Sequence, residues 1–68
     1  MSFVLSFDIP RGMSTLRTKV FRKLKRMNAK MINESLWSLN DLNALMELAL
    51  LIKNHGGNAR ILEEKFVF

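Results

Sequence analysis

Asp8 is the only acidic residue among the first thirty-three, and it stands in "SFDIPRG", where an apolar run meets a proline, an arginine and a glycine. A carboxylate at such a break can accept turn amides, hold a cation, or only keep the surface charged. Magnesium takes oxygen ligands, typically one or two carboxylates, and keeps several waters. A lone Asp8 is a poor site, but two copies related by a dimer dyad would place a metal where phosphate binds. Such a metal activates water or stabilises a phosphodiester leaving group. On the residues alone the turn-capping role is the favoured reading of Asp8, and the role of catalytic, metal-binding residue, with Mg2+ shared across a dimer as cofactor, stays open beside it.

The surrounding charge is positive. Residues 1–34 carry eight basic side chains against Asp8 and Glu34, a balance of +6, whereas the rest of the chain carries three against four, a balance of −1. Such asymmetry points to a polyanionic partner. At 100° per residue Lys19, Arg22, Lys23, Lys25 and Arg26 fan over one arc of a helix, so they can neutralise phosphates without reading bases. Arg17 projects instead at the margin of the apolar stripe, either passing apolar neighbours or aimed at an anion. Arg11, Arg17, Lys19, Arg22, Lys23 and Arg26 form the candidate nucleic-acid-binding set. A solvated helix face is the competing reading of the arc. It lacks interleaved exposed aromatics, so no stacking platform for single strands is evident.

Composition closes off other chemistries. The chain has 68 residues, no cysteine and one histidine, His55. Disulfides, thiolate metal sites and multi-histidine zinc sites are excluded, and no Walker-type glycine loop or serine or cysteine triad is present. The longest apolar region, "ALMELALLI", contains Glu47 and is too short to span a bilayer. The run "FVLSF" is broken by Asp8 and Pro10, so it does not read as a signal peptide. A cytoplasmic protein without a membrane partner is expected. One small domain over residues 1–68 buries a modest core, which makes a homodimer the expected further source of stability.

These residues need elements to position them. Phe3, Leu5, Phe7 and Ile9 alternate with Val4, Ser6 and Asp8, the period of a strand. Pro10 and Gly12 break it, and Ser14 or Thr15 is the expected cap of a helix with the stripe Met13, Leu16, Val20, Leu24 and Met27. Asn28 is the expected stop. Two strands follow at about 29–33 and 35–39, joined through Asn33 and Glu34. A second helix starts at Asn40 or Asp41, buries Leu42, Leu45, Met46, Leu48, Ala49 and Ile52, and ends at "HGG". The closing stretch "NARILEEKFVF" changes phase, which predicts a bulge or two short strands near Glu63 and Glu64.

The order strand, helix, strand, strand, helix, strand predicts an α+β, ferredoxin-like βαββαβ fold, an antiparallel sheet with two helices on one face. The first and third strands should be central. Phe3, Leu5, Phe7, Trp37 and Leu39 then face the helices, leaving Val4, Ser6, Asp8, Leu36 and Ser38 on an open face that a partner sheet can approach.

"FVLSFDIP", the basic helix "STLRTKVFRKLKRMN" and "INESLW" together resemble the CRISPR-associated protein 2 family of small ferredoxin-like dimers. In that family an aspartate ends the first strand in a "YDI"-like motif, matched by Phe7, Asp8 and Ile9. A "Q-x-S-V-F"-like stretch is matched loosely by Asn33, Ser35, Leu36 and Trp37. The resemblance implies a homodimer that binds double-stranded DNA and partners the CRISPR integrase in spacer acquisition. In members that resemble nucleases, it also implies a magnesium site made by paired strand-one aspartates, which gives Asp8 the metal role and Arg17 a nucleic-acid contact. Here "WSLND" runs straight toward the second helix, where the family usually has an "F-E-G"-like continuation. "LWSL" is also similar to a domain of phenylacetate-pathway repressors, and the toxin-like ribonucleases of the virulence-associated protein D family share the fold. A non-catalytic dimerisation or regulatory module, or a toxin-like ribonuclease acting on RNA, is the alternative expectation.

Overall fold

The computed structural model describes residues 2–65. Its elements are β1 (Phe3–Asp8), α1 (Ser14–Arg26), β2 (Lys30–Asn33), β3 (Leu36–Leu39), α2 (Leu42–Asn54) and β4 (Asn58–Glu63). The four strands form one sheet in the order β2-β3-β1-β4, with every neighbouring pair antiparallel. This is the expected ferredoxin-like α+β arrangement, with β1 and β3 central. No helix among the described residues is long and apolar enough to cross a membrane.

One core lies between sheet and helices. Leu5, Phe7 and Trp37 from the sheet meet Leu16, Val20 and Leu24 of α1 and Leu45, Leu48 and Ile52 of α2. The period of two places Leu5 and Phe7 on this side, and spacings of three and four do the same for the helical residues. Asp8, at the end of β1, is exposed.

The helix ends are set by local chemistry. The 10–13 turn closes with the Met13 amide donating to the Pro10 carbonyl at 3.0 Å, and the Met13 carbonyl accepts the first helical bond from Arg17 at 3.1 Å. Met13, not Ser14 or Thr15, is thus the N-cap of α1, and no side chain caps that end. The backbone turn and the packing of Met13 on the core fix the helix start one residue early, leaving both hydroxyls inside the first turn. At the other end Asn28 adopts φ 60°, while Ala29 donates to the Leu24 carbonyl and Asn28 to that of Lys25. That is the paired-bond termination expected where the chain turns left-handed. In α2 the Asp41 carboxylate accepts from the Ala44 amide at 3.1 Å, so Asp41 is the cap. Gly56 at φ 93° and Gly57, donating to the Ile52 carbonyl at 2.9 Å, end the helix at "HGG".

Three expectations change. Leu42 and Met46 are exposed, as is Leu50 at 59%. The core-facing arc of α2 is narrow, and apolar residues continue round to its outer side, so apolarity alone does not mark which face is buried. A register shift lies in edge strand β2, between Met31 and Asn33, and no bulge interrupts β4, which ends at Glu63, so the alternative of a second short strand beyond Glu64 falls on residues outside the described ones. β4 pairs with β1 in unbroken register from Asn58 to Glu63, and Leu62 keeps its phase by standing exposed on the open face. Phe66 and Phe68 lie outside the described residues. Finally, Val4 is on the open side yet only 8% exposed. Its cross-strand neighbours are Ser38 and Leu62, and the Ser38 hydroxyl donates to Glu64 Oε1 at 2.8 Å across the β1 strand.

Candidate nucleic-acid interface and carboxylate cleft

Two sites hold the residues singled out by their chemistry. The first is the outer face of α1. Ser14, Thr18, Lys19, Arg22, Lys23 and Arg26 line one shallow groove of about 570 Å³ along the helix. The helical repeat brings the four cations together, and the interspersed hydroxyls add neutral donors for phosphate oxygens. All four cations are exposed, and Lys23, Lys25 and Arg26 also fall in the last turn, where the helix dipole favours positive charge. Arg11 is exposed in the turn that leads into this helix.

The second site is a cleft of about 130 Å³ at the end of β1, lined by Asp8, Arg17, Glu34, Ser35 and the rings of Phe7 and Phe21. Its position follows from sheet register. Leu5 pairs with Trp37 and Ser6 with Leu36, and the Phe7 amide donates to the Ser35 carbonyl at 3.0 Å. Continuing that register puts Asp8 opposite Glu34. On the other side Asp8 pairs with Asn58 of β4.

The turn carrying Glu34 is held at three points. Asn33 Oδ1 accepts from the Ser35 amide at 2.9 Å and from the Ser35 hydroxyl at 3.3 Å. The Trp37 indole donates to the Glu34 carbonyl at 3.3 Å. Phe21 packs edge-on against Phe7, with centroids 6.3 Å apart, and tilted against Trp37 at 5.7 Å, forming the apolar wall behind the cleft. Arg17 lines the same cleft, and its Nη2 donates to the Ile9 carbonyl at 3.2 Å. The guanidinium at the stripe margin is thus partly engaged in holding the strand-to-helix turn while still lining the cleft beside Asp8.

Asp8 and Arg17, both expected from the sequence, are therefore neighbours of one cleft, while Lys19, Arg22, Lys23 and Arg26 belong to another surface. Glu34 and Ser35 are the residues that sequence reasoning treated only as a turn or a motif match. The signal that finds them is the pairing of β1 with β3, which carries the β2–β3 turn to the end of β1. Asp8 and Glu34 both line this cleft, and carboxylates are the ligand type Mg2+ takes, but no group of three histidine, aspartate or glutamate residues stands together among the described residues. No protein-family model matches the chain, and no curated protein matches it.

Proposed function

We propose that this chain is a nucleic-acid-binding protein of the CRISPR-associated protein 2 type, acting as a homodimer. The observation that carries the reading is the α1 face, where Lys19, Arg22, Lys23 and Arg26 line one groove with hydroxyls between them. Cations at helical spacing on a rigid element suit a phosphate backbone and give affinity without base readout. Duplex DNA is the preferred ligand by the family resemblance, with spacer acquisition beside an integrase as the setting.

In this reading Asp8 is the metal-binding carboxylate of a magnesium-dependent endonuclease. Its exposure at a strand end and the oxygens of Glu34 and Ser35 in the same cleft support the assignment. The carboxylate of a second copy would complete the donor set, and bound magnesium would supply electrostatic stabilisation of the leaving oxygen of a phosphodiester. Arg17, anchored on Ile9, would hold positive charge beside the phosphate. That same anchoring favours a second reading, a binding module without catalysis in which Arg17 serves the turn.

The test is duplex binding as a function of salt. Each phosphate neutralised contributes about −0.9 to the slope of log affinity against log salt. The double reversal Arg22→Glu/Arg26→Glu should weaken binding and flatten that slope by about 2. Absence of duplex binding by the unaltered protein at low salt would overturn the reading.

A further inference from the structure

A second groove runs between the helices rather than along α1. Lys19, Lys23, Arg26, Met27, Glu47 and Leu51 belong to one cleft of about 370 Å³, and Lys19 and Leu51 recur in an adjoining cleft of about 320 Å³ that reaches Met13 and His55. The two clefts thus join into one groove extending from the first to the last turn of α1, roughly 20 Å at the rise of an α-helix.

The floor and rim differ in chemistry. Met13, Met27 and Leu51 are partly buried hydrophobics on the floor, and methionines at both ends suit a surface that adapts to its partner. The α1 rim carries Lys19, Lys23 and Arg26, one helical turn apart in succession. Cations repeated at that interval match acids repeated at the same interval on another helix, whereas an amphiphile with one anionic head would use one of them. An apolar floor does not suit phosphates.

We propose that this groove receives an acidic amphipathic helix of a partner protein, with its apolar face on Leu51 and the methionines and its acids along Lys19, Lys23 and Arg26. This is helix-in-groove recognition. Lys19, Lys23 and Arg26 are shared with the nucleic-acid face, so the two ligands would compete for them, but Leu51 and Met27 line only this groove and Arg22 lies outside it, which lets the two readings be tested separately.

The experiment uses a synthetic helical peptide of about fourteen residues, with leucines at i, i+3, i+7 and glutamates flanking them, titrated into the full chain by fluorescence anisotropy and amide chemical shifts. Saturable binding is expected, with shifts centred on Met13, Met27 and Leu51. Lys23→Glu, an exposed rim change, should weaken it at least tenfold, as should Leu51→Ser if circular dichroism shows the variant folded. Arg22→Glu should leave it within about twofold while weakening duplex DNA binding. The proposal is overturned if a scrambled peptide of equal charge binds as tightly, if Lys23→Glu has no effect, or if dodecanoate saturates the groove while the peptide does not bind.

Discussion

Gly57 passes so close to Asp8 that a Cβ on it would lie 2.8 Å from the Asp8 carbonyl oxygen and 2.7 Å from Cγ2 of Ile52. The end of α2 is thereby set flush against the strand end that carries the candidate carboxylate. The Asp8 contact is with backbone, and Ile52 is fully buried, so neither can step aside freely. Gly57→Ala should destabilise the fold by about 1–3 kcal/mol, the range for forced overpacking, and displace Asp8. Chemical denaturation measures the first effect, and the Asp8 amide shift reports the second. Unchanged stability and an unmoved Asp8 would show that the two segments are free to separate.

Asn28 offers the opposite case. Its φ of 60° lies where side chains with a Cβ are penalised by about 1–2 kcal/mol, and asparagine tolerates it better than most. Its left-handed turn lets Ala29 donate to the Leu24 carbonyl. Asn28→Gly should hold or raise stability, while Asn28→Ala should lower it by about 1 kcal/mol. A thermal melt of the three proteins gives the order directly, and alanine equal to glycine would contradict the assigned termination.

Much of this fold is legible from periodicity because its faces are chemically distinct. Leu5 and Phe7 alternate with Ser6 and Asp8, and Leu16, Val20 and Leu24 stand against the basic side of α1, so the buried sets can be read off. α2 offers no such contrast: Leu42, Met46 and Leu50 are as apolar as Leu45, Leu48 and Ile52, and only the position of the helix over β1 and β4 sorts them. Glu34 escaped for another reason. Its place beside Asp8 depends on β1–β3 register, a long-range property that neither segment encodes alone. The missing hydroxyl cap at Ser14 reflects a backbone turn closing first at Met13, a competition that residue preferences do not resolve.

Asp8→Ala separates chemistry from assembly. The side chain is exposed at the strand end and no part of the core cluster, so its removal should change stability by less than about 0.5 kcal/mol. If the carboxylate holds the metal, magnesium-dependent cleavage of a nucleic-acid duplex should fall at least a hundredfold while duplex binding through α1 persists. Gel assays with and without magnesium, run beside anisotropy, read both. Cleavage that survives the substitution would move the metal site elsewhere and leave Asp8 as a turn residue.

The open sheet face makes the proposed dimer testable. Val4 is already shielded there by Ser38, Leu62 and the bond from Ser38 to Glu64, whereas Leu62 itself remains 54% exposed and Leu36 is half-buried. A leucine buried fully gains about 1.5–3 kcal/mol. Covering the exposed half of Leu62 in both copies would therefore contribute about 2–3 kcal/mol to a symmetric interface. Leu62→Lys should weaken self-association by roughly 30–100-fold, given tenfold per 1.4 kcal/mol. It should leave the single-chain fold intact, because the position opposes Val4 without entering the helix-facing core. Sedimentation across a dilution series, paired with circular dichroism, distinguishes the outcomes. A dimer indifferent to this lysine would place the interface away from the open face and deprive two Asp8 side chains of the route by which they would meet.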